Sequence, residues 1–168
     1  MKEDNRIFFE DALLTRGILY VISKCHDLEI EKIYRHVMVN GMEVDAVAIC
    51  KTYEDRYERW VGFELKENAL DKAMDQAMLR RDYFDYFYVV IDLSVASIVG
   101  NIIRGYFLDH IKNHKIGIIS SYDDVVVAKS GFKARKEKDK KINGREIDKF
   151  QMKLIQFLEE HKKKFPQL

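Results

Sequence analysis

Two apolar segments of this chain carry charge where a buried strand ordinarily has none. Val44-Asp45-Ala46-Val47-Ala48-Ile49-Cys50 is interrupted by Asp45, and Trp60-Val61-Gly62-Phe63-Glu64-Leu65-Lys66 carries Glu64 and Lys66 two positions apart. In an extended strand, residues i and i+2 project to the same face, so Glu64 and Lys66 stand side by side. An unpaired charge is costly to bury. Any fold for this sequence must therefore give these three groups partners, solvent or a metal ion.

The surroundings are those of a globular domain. Of 168 residues, 47% are hydrophobic and 34% charged, enough for one sizeable core. No apolar run approaches the roughly 20 residues that span a bilayer, and the acidic start Met1-Lys2-Glu3-Asp4-Asn5 lacks the order of a signal peptide. Cys25 and Cys50 are too few for a disulfide framework and too far apart for a local zinc knuckle. The expectation is an intracellular, cytoplasmic protein without membrane association. The net charge of +1 conceals an asymmetry: residues 1–128 carry a net −6 and residues 129–168 a net +7. A basic final quarter suits a polyanion, and equally a solvated lysine-rich helix.

Periodicity predicts a helix over 6–24, with Phe9, Leu13, Ile18 and Ile22 at helical spacing. Strands follow over 30–39 and 42–50, joined by Asn40-Gly41, a strong hairpin signal. A third strand covers 59–66, and a helix runs from Asn68 or Asp71 to about Tyr83. A fourth strand spans 84–93. Ser94 is a plausible N-cap for a helix ending near His114, and short strands are expected over 115–120 and 124–129. The expected organisation is a core domain over 1–130, a charged loop over 131–144, and a C-terminal helix within 145–168 packing on the same domain through Ile147, Phe150, Leu154 and Leu158.

Two carboxylates on neighbouring strands suit a hard divalent cation such as Mg2+, which takes one or two carboxylates and keeps several waters. A cation so held polarises a phosphate oxygen and acidifies a water. Asp45 and Glu64 would supply the carboxylates, with the backbone carbonyl of Leu65 as a further ligand. Lys66 would position the water or stabilise transition-state charge. The plain alternative is a structural ion-pair network at a strand end.

Asp45, then Glu64-x-Lys66 closing the next apolar strand, then a helix carrying Gln76, resembles the PD-(D/E)xK nuclease superfamily. This superfamily includes restriction endonucleases, RecB-like nucleases and archaeal Holliday-junction resolvases. Its core order, αβββαβ, is similar to that expected over residues 6–93. The resemblance implies an α/β fold with a restriction-endonuclease-like core, a central mixed sheet flanked by helices. It also implies metal binding by Asp45 and Glu64, with catalytic roles for Lys66 and Gln76. Glu10 resembles a first-helix acidic ligand of several branches, and Tyr83 a tyrosine of RecB-like members. Val44 departs from the pattern, standing where the superfamily has proline.

The function expected on these grounds is metal-dependent hydrolysis of DNA phosphodiester bonds, with Mg2+ or substituting Mn2+. Recognition is expected to be directed by structure rather than sequence, in a homodimer. Phosphate contacts are expected from Lys72, Arg80, Lys133, Arg135 and Lys136. The alternative is a nuclease-fold protein that binds nucleic acid or a partner without cleaving. His36, His110 and Cys50 read as structural.

Overall fold

The computed structural model describes residues 12–105, 107–136, 142 and 145–146. Loose apolar alternation produces β1 (Leu28–Val39), and near-continuous apolar runs buried on both faces produce β2 (Met42–Thr52) and β3 (Glu58–Lys66), a meander of antiparallel pairs. Asn40 and Gly41 turn the first hairpin with φ of 49° and 76°, as the two-residue type I′ turn requires. The chain then crosses over through α2 (Leu70–Arg80) and a single 3₁₀ turn (Arg81–Tyr83) to β4 (Tyr86–Ile91), parallel to β3. A second crossover through α3 (Val95–Gly105) and α4 (Leu108–Lys112) leads to β5 (Ile116–Ser120), parallel to β4. β6 (Val125–Ala128) returns antiparallel. Among the described residues one mixed sheet results, in the order β6-β5-β4-β3-β2-β1-β7, where β7 is Arg145–Glu146.

Helices flank the sheet on both faces. Leu13, Leu14, Ile18 and Ile22, from α1 (Arg16–His26) and the turn before it, pack on Ala46, Ala48, Val61, Phe63 and Leu65. Leu70, Ala73, Met74 and Ala77 of α2, with Ile98 and Ile102 of α3, cover Val47, Ile49, Trp60, Val89 and Ile91 on the other side. At Gly62 any side chain would meet the Phe87 ring at 2.7 Å, so glycine lets the α2-side aromatics close on the strand. Among the described residues no helix is long and apolar enough to cross a membrane.

Several boundaries differ from the periodicity. The helix predicted over 6–24 is observed from Arg16, because Thr15 caps it by accepting a hydrogen bond from the Ile18 amide at 3.1 Å; residues 6–11 lie outside the described residues. Ser94 caps α3 as expected, its hydroxyl accepting from the Ser97 amide, but the helix expected to reach His114 breaks between α3 and α4. The helix expected from Arg145 is corrected at its start. Arg145 and Glu146 are strand, opposite Arg35 and Tyr34 of β1, because the edge of β1 offers backbone groups that a first helical turn would not satisfy. Residues 147–168 lie outside the described residues.

Candidate active site

Asp45 stands at a fault in the sheet. The β1–β2 ladder pairs Arg35 with Ala46 and Val37 with Val44, skipping His36 and Asp45, and His36 takes a left-handed φ of 51°. The β2–β3 ladder ends at Ala46 and Phe63, one step before Asp45 would face Glu64. With the ladder open there, the Asp45 carboxylate takes over as acceptor: its Oδ2 receives the Leu65 amide at 2.8 Å. The carbonyl of Leu65 points to the same side of the strand as its amide, toward Asp45.

Glu64 and Lys66 lie on the α2 face, alternating with Val61, Phe63 and Leu65, which pack in the α1-side core. Glu64 is only 3% exposed. Its carboxyl is pushed up to about 9, first by burial and then by the neighbouring Asp45 charge; Arg80 and Lys66 oppose the rise, and a hydrogen bond to Asp45 adds to it. Burial and this neighbour together favour the protonated form of Glu64. Asp45 thus joins Glu64 and Lys66, a convergence that strand geometry alone left unassigned.

Arg80 corrects an expectation. It was a candidate for phosphate contact, yet it is turned inward, with Nε 3.2 Å from Glu64 Oε1 and only 13% of its side chain exposed. The single Nε hydrogen is aimed at the Glu43 carbonyl at 2.9 Å, so the contact with Glu64 is coulombic and leaves Glu64 Oε1 without a hydrogen bond. Nη1 donates to the Gln76 carbonyl at 3.0 Å. Gln76 itself, one turn earlier, has a buried Oε1 with no hydrogen-bond partner. Two orphaned acceptor oxygens on facing elements are what an ion or water would satisfy. Among the described residues no three His, Cys, Asp or Glu side chains group to hold a metal ion, which leaves Asp45 and Glu64 as the carboxylate pair. Glu10 lies outside the described residues.

Lys72 remains exposed on α2. Tyr83 accepts from the Asn40 side chain at 2.6 Å, pinning the hairpin tip beside the end of α2. Lys133 and Lys136 are exposed and share Asp82, at 2.7 and 3.2 Å. Arg135 corrects the second phosphate expectation. It is buried, with Nη1 2.5 Å from Asp85 Oδ2, Nη2 3.2 Å from Glu58 Oε2, and its guanidinium 4.7 Å from the centre of the Trp60 ring. This cluster sits six residues along β3 from Glu64, roughly 20 Å at the rise of a strand.

No protein-family model matches the chain, and no curated protein matches it. A solved structure, the SPO1766 protein of unknown function from Silicibacter pomeroyi, is similar at 13% identity and a TM-score of 0.39, over 86% of this chain and 81% of that one. A likeness so remote carries no functional assignment.

Proposed function

We propose that the chain is a metal-dependent nuclease that hydrolyses DNA phosphodiester bonds on a restriction-endonuclease-like core. The observation that carries this reading is the convergence of Asp45 on the buried Glu64, two carboxyl groups from neighbouring strands close enough that the Asp45 charge helps raise Glu64. Such a pair on a sheet face, beside Lys66 and under a helix bearing an unsatisfied Gln76, is poorly explained as packing. The donor set fits Mg2+ or Mn2+: hard oxygens only, two carboxylates, and the Leu65 carbonyl on the same side. A cation bound there would take the place of the Glu64 proton and polarise a phosphate oxygen. Lys66 would stabilise the charge that develops on the phosphate and orient the attacking water, and Gln76 would position that water or the Lys66 ammonium. Lys72, exposed one turn before Gln76, would contact the backbone without reading sequence.

A second reading is favoured by one observation. Arg80 already supplies a positive charge to Glu64, as in a nuclease-fold protein that binds nucleic acid or a partner without cleaving. The two separate on incubation with supercoiled, linear and branched DNA, with Mg2+, with Mn2+ and with chelator. The nuclease gives metal-dependent cleavage that falls at least about a hundredfold in Glu64→Ala and in Lys66→Ala, the scale of a lost acid–base or electrostatic group. Binding without cleavage in every metal condition, unchanged by both substitutions, overturns it in favour of the second reading.

A further inference from the structure

A separate feature lies on the α1 face at the start of β3 and β4. Tyr57 and Phe132 are 57% and 42% exposed. Between them sits the Arg59 guanidinium, 5.4 Å from the centre of the Tyr57 ring and 4.9 Å from that of Phe132. Phe132 meets Tyr86 edge-on at 5.7 Å, and Tyr86 lies against the His26 ring at 3.9 Å. These side chains form one ribbon, Tyr57-Arg59-Phe132-Tyr86-His26, drawn from the loop before β3, from β3, β4 and α1, and from the segment after β6.

Basic side chains flank it. Among the described residues no carboxylate pairs with Arg59, whose only hydrogen bond is to the adjacent Glu58 carbonyl at 3.1 Å. Lys115 donates to the Phe132 carbonyl at 3.1 Å. Lys129 is exposed, and its charge acts on His26. The nearby acids are already occupied: Glu58 and Asp85 both pair with Arg135. Packing alone does not account for the arrangement, since a ring placed for packing would be covered.

We infer that this ribbon binds unpaired nucleobases of a single-stranded nucleic acid. Exposed rings beside a cation free of carboxylates offer a stacking face to any base, and the flanking lysines and Arg59 offer charge to the phosphates between bases. A duplex keeps its base faces stacked inside and has none to offer. Arg59 alternates with Trp60, which packs on the same side as α2, so the ribbon and the Asp45–Glu64 pair occupy opposite faces of the sheet. The inference therefore stands independently of cleavage.

The test is equilibrium binding of the full chain, in chelator, to fluorescent oligothymidylate, oligouridylate and a duplex of equal length. Single strands should bind more tightly than duplex, and the thymidylate and uridylate arms separate DNA from RNA as the source. Tyr57→Ala and Phe132→Ala should each weaken single-strand binding about tenfold, a loss of one stacked base. Arg59→Lys, which keeps the charge but loses the plane, should weaken it less. Thermal unfolding of Tyr57→Ala should match the wild type, because its ring is mostly in solvent. Absence of single-strand binding, or equal affinity for single strand and duplex that ignores Tyr57→Ala, overturns the inference.

Discussion

Two buried ionic clusters lie at opposite ends of β3, and they are built on opposite principles. At the start of the strand, Asp85 accepts the Trp60 and Arg135 amides and the Arg135 guanidinium. Beside it the Arg81 guanidinium donates to the carbonyls of Phe84, Asp85, His114 and Gly131. Among the described residues, Arg135 Nε is the one buried side-chain nitrogen there without a partner. At the other end, burial and the Asp45 charge raise the Glu64 carboxyl, the Arg80 Nε hydrogen is aimed elsewhere, and among the described residues Gln76 Oε1 has no donor. The first cluster neutralises every carboxylate at close range, whereas the second leaves two together. A satisfied network ties elements into one structure; an unsatisfied one of the same burial is held in readiness for something else.

The comparison can be broken most sharply at Asp85. Asp85→Ala leaves the Arg135 charge with only the half-exposed Glu58 as partner and strands two buried amides, and should cost about 3–5 kcal/mol, measured by denaturant unfolding. A smaller loss would mean that the segment after β6 is held by Arg81 rather than by this ion pair.

Glu64→Gln should act in the opposite direction. The unfolded chain releases the Glu64 proton near the ordinary 4.5, whereas the folded chain holds it to about 9. Between those values folding takes up a proton. Wild-type stability is therefore fully present below the lower value and declines as pH rises, by about 1.4 kcal/mol per unit at most. Gln cannot titrate, so in chelator the variant should be more stable than wild type at the alkaline end of the window and show no such slope. Equal slopes in the two proteins would show that Glu64 ionises freely.

The smallest effect concerns His26, which belongs to neither cluster. Burial, then the Lys129 charge, lower it from 6.5 to about 4, and its Nε2 is 2.6 Å from the Tyr88 hydroxyl. As pH falls through that window the unfolded chain takes up the proton first, so stability is lost on acidification, on the order of 1–2 kcal/mol. His26→Gln should remove that acid limb while leaving the alkaline decline assigned to Glu64, which thermal unfolding at both ends of the pH range would resolve.

The legibility of these features in the sequence follows their range. The Asn40-Gly41 turn, the Ser94 cap and the strands of the meander depend on neighbours a few residues away, and they stand close to where periodicity places them. That Glu64 and Lys66 share a face needs only strand alternation. The convergence of Asp45 on them depends on a ladder fault opposite His36, which no periodicity records. Arg80 and Arg135 look like surface cations because their acidic partners lie 16 and 50 residues away in the chain. In the same way, Arg145 continues a helical pattern, and only the open edge of β1, more than 100 residues earlier, makes it strand.

That edge has a consequence for how the protein behaves in a crowd of its own copies. Among the described residues, β7 pairs with Tyr34 and Arg35 of the twelve residues of β1. Elsewhere the strand presents exposed Glu29, Glu31 and Lys32, a register shift between Ile30 and Lys32, and the left-handed backbone of His36. A second chain seeking to extend the sheet would meet charge and broken spacing instead of a straight row of amides. The irregularity that frees Asp45 from its ladder also makes the sheet a poor seed for fibrils.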